Sequence, residues 1–95
     1  MTAQITVKRE RYSIYNTDQG RIILDSTFQV DNQQIGFMMR LHAYCPRSTE
    51  FFLMTYNGTD YIDGVSGLDQ SILKEIIKIA GTYDCYAPQA LKRYL

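Results

Sequence analysis

Residues 21–45, RIILDSTFQVDNQQIGFMMRLHAYC, carry the clearest structural pattern in the chain. Ile22, Leu24, Phe28 and Val30 alternate with Ile23, Asp25, Thr27, Gln29 and Asp31, which is the period of a half-buried strand. After Asn32-Gln33-Gln34 the alternation resumes. Ile35, Phe37, Met39, Leu41, Ala43 and Cys45 share one side, and Gly36, Met38, Arg40, His42 and Tyr44 share the other. These segments predict an antiparallel hairpin. Opposing Val30 to Ile35 sets Phe28 against Phe37 and Leu24 against Leu41, with the large apolar residues on one face. The same register sets Asp25 against Arg40, a favourable cross-strand charge pair, and Arg21 against Tyr44.

Two further strands follow. Pro46-Arg47-Ser48-Thr49 reads as a turn, Phe51 to Tyr56 as a strand, and Asn57-Gly58 as a tight hairpin signal. Opposing Tyr56 to Thr59 then pairs Leu53 with Ile62 and Met54 with Tyr61, turning Ile62 to the core beside Phe51. The segment from Ile5 to Tyr15 is strand-like with a parity break between Val7 and Tyr12. A bulge near Lys8-Arg9-Glu10-Arg11 repairs the break, and the charges there suit an edge strand. Asn16 to Gly20 is the next turn.

From Leu68 the period changes. Leu68, Ile72, Leu73, Ile76, Ile77 and Ala80 form an apolar stripe at helical spacing, with Lys74, Glu75 and Lys78 off it. Asp69 is placed to cap this helix, Leu68 and Leu73 to staple it, and Gly81 to end it. Pro88 opens a short second helix, and Tyr83, Tyr86, Leu91, Tyr94 and Leu95 are candidates to anchor the tail. The expected architecture is α+β: a five-stranded antiparallel β-meander over residues 1–64, then an amphipathic helix packed on one face and a short helical tail over residues 65–95, all in a single domain.

Composition bounds the function. The chain has 95 residues, ten Lys plus Arg against ten Asp plus Glu, eight Tyr, four Phe, two Cys and 45% hydrophobic residues. That balance is ordinary for a globular domain and too apolar for a disordered one. The zero net charge argues against indiscriminate polyanion binding. Two cysteines are too few for a disulfide framework. The N-terminal residues carry no signal-peptide pattern, so a cytoplasmic location with Cys45 and Cys85 as free thiols is expected. No apolar run reaches membrane-spanning length, so no membrane partner is expected. Asn57-Gly58-Thr59 matches the glycosylation sequon, which its turn chemistry explains.

Few constellations suggest chemistry. His42 and Cys45, three apart in a strand, fall on opposite faces, and with Cys85 they supply one ligand fewer than a structural zinc site takes. No metal and no cofactor are therefore expected. Gly64-Val65-Ser66-Gly67 lacks the lysine and spacing of a phosphate loop and suits a chain reversal. Asp60, Asp63 and Asp69 form an acidic patch suited to a basic partner. The richest surface is the sheet side carrying Met38, Arg40, His42, Tyr44, Phe52, Met54, Tyr56 and Tyr61, residue types enriched at protein interfaces. A non-enzymatic protein-binding domain is expected, as an inhibitor, adapter or subunit, with another protein or a second copy of the chain as partner. Its general type suits a phage or mobile-element inhibitor of a host complex. Two alternatives stand beside it. One is a nucleic-acid-binding accessory using Lys8, Arg9, Arg11, Tyr12 and Tyr15, since cations hold phosphates and aromatics stack on bases. The other is a small enzyme using His42 with Cys45 or Cys85. Whether the tail folds over the aromatic face is the question the sequence poses.

Overall fold

A computed structural model describes residues 4–18, 20–44, 49–65 and 67–95, with the backbone alone for Tyr12 and Thr17. Five strands, β1 (Ile5–Thr17), β2 (Gly20–Val30), β3 (Gln33–His42), β4 (Glu50–Tyr56) and β5 (Tyr61–Asp63), precede helices α1 (Gln70–Tyr83) and α2 (Ala87–Leu91) and a 3-10 turn (Lys92–Tyr94). The strands pair antiparallel in chain order β1-β2-β3-β4-β5, so the sheet is the expected meander in an α+β chain.

The expected hairpin forms between β2 and β3, in a different register. Val30 faces Gln33, Phe28 faces Ile35 and Ser26 faces Phe37. Asp31 takes a left-handed φ of 52°, which Asp tolerates and which lets Asp31-Asn32 close the hairpin as a two-residue turn. The expected pairing of Val30 with Ile35 is thus off by two residues. An even slip preserves parity, so Phe28, Val30, Ile35 and Phe37 still share the core face. Beyond Ser26 the expectation fails for a second reason. A bulge between Leu24 and Ser26 shifts the register, and Leu24 pairs with Met38, Ile22 with Arg40 and Arg21 with Leu41. Leu24 therefore lies on the far face, away from the helices, and Asp25 does not meet Arg40.

The parity break in β1 is a bulge where expected, between Arg9 and Tyr12, and β1 is an edge strand. It lies level with the bulge in β2. A second irregularity between Ser13 and Tyr15 leaves Ile14 exposed rather than returned to the core. The β4–β5 hairpin also differs, pairing Tyr56 with Tyr61 and Thr55 with Ile62. Asn57 does not act as half of a tight turn. Its Oδ1 accepts from the backbone N–H of Thr59 at 2.9 Å and of Asp60 at 2.7 Å, closing a longer loop. Ile62, expected in the core, sits on the short outer strand and is 56% exposed.

One buried cluster joins the core face to both helices: Phe28, Val30, Ile35, Phe37, Met39, Phe51 and Leu53 with Leu73, Ile76, Ile77 and Ala80 of α1 and Ala87 and Leu91 of α2. Each fully buried Phe or Leu contributes about 2 kcal/mol. Leu41, expected in this set, is half-buried outside it. Asp69 occupies the N-cap of α1, but its side chain makes no capping bond. Gly81 does not end the helix, which runs on to Tyr83. A Cβ at Gly81 would come within 2.7 Å of Pro88 Cγ, so glycine there lets α2 fold back against α1. Of the expected tail anchors, Leu91 is buried, while Tyr86 and Leu95 are exposed.

Candidate functional site

The tail joins the helix side of the sheet. Ala87 and Leu91 enter the cluster that contains α1, so both helices pack on the core side, and among the described residues the tail reaches the far face through Arg93. That face is part core and part open surface. Gly36 is its hub: a Cβ there would lie 2.7 Å from Tyr61 Cε1, 3.0 Å from Leu24 Cδ1 and 3.1 Å from Met38 Cε. The missing side chain lets the Tyr61 ring reach from β5 across β4 to β3, where its hydroxyl accepts a hydrogen bond from Gln34 Nε2 at 2.7 Å. Met38, expected to be an accessible contact residue, is completely buried beneath these neighbours. Tyr56 stands beside Tyr61 with ring centroids 5.0 Å apart and donates its hydroxyl to Gly58 O at 2.9 Å.

Next to this miniature core, Phe52 opposes Met38 and Arg40 opposes Glu50. The Arg40 guanidinium lies 5.2 Å from the Phe52 ring and that of Arg93 5.3 Å, so two cations bracket one aromatic ring. Glu50 is shared. Its Oε2 meets Arg40 Nη1 at 3.3 Å and its Oε1 meets His42 Nε2 at 3.0 Å. Arg93 arrives from the far end of the chain. Its Nη2 donates to Phe51 O at 2.5 Å and to Tyr94 Oη at 3.1 Å, and its Nη1 to Ala90 O at 3.0 Å. Tyr94 donates to Asp63 Oδ1 at 2.9 Å. Burial, then the bond to Asp63, raises the Tyr94 phenol above its ordinary value, against lowering by the Leu53 backbone and Arg93. Because β5 is three residues long, Arg93 and Tyr94 cover the stretch of β4 edge that it leaves.

Of the expected contact residues, Arg40, His42, Phe52, Met54, Tyr56 and Tyr61 gather on this face. Tyr44 is 83% exposed just past β3 and makes no described contact with them. Arg93 and Glu50 went unrecognised in the sequence. Glu50 carries a signal, an opposite charge across the turn from Arg40. Arg93 has none, lying 42 residues from Phe51.

The other expected sites lie on other elements. Asp60 is in the β4–β5 loop, Asp63 is engaged by Tyr94, and Asp69 begins α1. Cys45, Pro46, Arg47 and Ser48 lie outside the described residues, as do Ser66 and the Tyr12 side chain. Cys85 is an exposed free thiol, and His42 is paired with Glu50. Among the described residues no three His, Cys, Asp or Glu side chains converge as a metal site, and no helix is long and apolar enough to cross a membrane.

Asp25 is 0% exposed and lies against two cations of β1 rather than Arg40. Arg9 Nε is 3.6 Å from Oδ2 and Arg11 Nε 3.3 Å from Oδ1. The Arg9 guanidinium also lies 4.3 Å from the centroid of Tyr83 in α1. Lys8 is apart from this group, paired with Glu10 at 3.0 Å.

Comparison of the chain with protein-family models, with curated proteins and with solved structures found no match.

Proposed function

We propose that the chain is a non-enzymatic protein-interaction domain that docks on another protein through the far face of its sheet. The observation carrying this reading is that both helices pack on the core side and leave Phe52, with Arg40 and Arg93 beside its ring, on a face that neither helix covers. Arginine and aromatic side chains with a well-packed base are the usual anchors of interfaces. Here Leu24, Met38 and the Gly36–Tyr61 contact supply that base, and Arg40, Phe52, Met54 and Tyr56 the contact layer. Asp60 and Asp69 offer a separate acidic docking point. In this reading the protein is a cytoplasmic inhibitor, adapter or subunit, of a kind that phages and mobile elements use against host complexes.

The test is affinity capture of the partner from the source cell, followed by rebinding of the purified pair. Arg40→Glu and Tyr56→Ala should each weaken binding by about 2 kcal/mol, roughly thirtyfold, with an unchanged circular dichroism spectrum. Undiminished binding by both variants would reject this face. Concentration-dependent sedimentation that both substitutions abolish would identify a second copy of the chain as the partner.

A further inference from the structure

We propose that Arg9 and Arg11 form a phosphate-binding clamp positioned by the buried carboxylate of Asp25. The site lies on β1 and β2, apart from the Arg40–Phe52 surface. Bulges in both strands fall at the same level, one between Arg9 and Tyr12 and the other between Leu24 and Ser26. They bring one carboxylate within reach of two cations from the neighbouring strand, one for each oxygen. Asp25 is fully buried, and neither oxygen has a hydrogen-bonding partner among the described residues. Such burial is costly, and a single arginine would neutralise the charge. Two arginines leave one positive charge in excess.

The orientation gives that excess a use. Each guanidinium approaches Asp25 by its Nε, the inner edge of the group. The outer Nη groups have no acceptor among the described residues, and the two side chains are 46% and 53% exposed. Tyr83 holds the Arg9 plane from the helix side. Two guanidinium forks held at Nε by one carboxylate, each about half exposed, suit a ligand with at least three acceptor oxygens. A carboxylate saturates one fork, whereas a phosphate engages both. Lys8 is paired with Glu10 and does not contact Asp25 among the described residues.

The phosphate has two possible sources, free inorganic phosphate or the backbone of a single nucleic-acid strand, and the experiment separates them. The full chain is titrated with inorganic phosphate, followed by the Arg Nε–H resonances, and with a ten-residue oligothymidylate, followed by fluorescence anisotropy. Saturable binding of phosphate with no gain for the oligonucleotide assigns a free anion. Tighter oligonucleotide binding that falls with salt assigns a strand. In either case Arg9→Gln and Arg11→Gln should weaken binding at least tenfold, while Arg21→Gln, at another exposed arginine of the same hairpin, stays within twofold. Asp25→Asn is the decisive variant. Removing a negative charge strengthens anion binding by simple attraction, whereas loss of a positioning group weakens it, here by about fivefold or more. Tighter binding by Asp25→Asn, equal losses at Arg9, Arg11 and Arg21, or no saturable binding of either probe would each overturn the proposal. If Asp25→Asn does not fold, the three arginine variants decide alone.

Discussion

Replacing Gly36 by alanine tests the architecture of the far face. A glycine inside a strand costs about 0.5–1 kcal/mol relative to alanine, so propensity alone makes Gly36→Ala stabilising. The structure requires the opposite. The new Cβ would stand 2.7 Å from the Tyr61 ring, 3.0 Å from Leu24 and 3.1 Å from Met38, all three on a packed surface. Overpacking of this kind costs about 1–3 kcal/mol. Lifting the Tyr61 ring also breaks its bond to Gln34, worth about 1 kcal/mol. The net expectation is a destabilisation of about 2 kcal/mol. For a domain of 95 residues this corresponds to a fall in Tm of about 8–16 °C. Urea unfolding of a double-mutant cycle isolates the cause. In a Tyr61→Ala background Gly36→Ala should be neutral or stabilising, giving a coupling of at least about 1.5 kcal/mol. Equal or greater stability of Gly36→Ala in the parent chain would refute the account of how Tyr61 is seated.

Two further outcomes are expected. Gly81→Ala gains about 1 kcal/mol of helix propensity yet drives a Cβ to 2.7 Å from a proline ring that cannot rotate away. It should therefore destabilise by about 1 kcal/mol in urea melts, and stabilise once Pro88 is also alanine. For Tyr94, burial raises the phenol above 10.0, so its contribution to stability is present below pH 10.0 and lost as pH climbs through the folded value. Melting temperatures followed from about pH 9 to pH 11 should fall more steeply for the parent than for Tyr94→Phe. Parallel curves would show that Tyr94 titrates alike in both states.

What could be read from the sequence follows the range of the forces involved. The stripe Leu73, Ile76, Ile77 and Ala80 is a local pattern, and the helix forms over it. The core face survived a wrong register because the error was an even number of residues. Leu24 did not, because the run Ile22-Ile23-Leu24 is apolar on both parities and gives no sign of the bulge that follows. The β1 bulge was legible, since Ile5 and Val7 conflict in parity with Tyr12. Its alignment with the β2 bulge, which decides what Asp25 touches, depends on tertiary pairing alone. The bracket on Phe52 was half legible. Arg40 belongs to the patterned hairpin, whereas Arg93 reaches β4 only after two helices have turned the chain back.

The zero net charge now has a spatial meaning. Glu50 serves both Arg40 and His42, and Asp25 both Arg9 and Arg11, so each carboxylate orients two partners. Arg93 meets neutral oxygens and an aromatic face. Two arginines thereby meet near Phe52 on the far face and two at the paired bulges of β1 and β2, while Lys74, Lys78, Asp60 and Asp69 stay exposed elsewhere. The two basic sites draw on different arginines and different strands. A protein partner at Phe52 and a phosphate at the clamp should consequently bind independently. Arg40→Glu then spares the clamp and Arg11→Gln spares the protein contact, whereas a single electrostatic surface would lose both activities with either substitution.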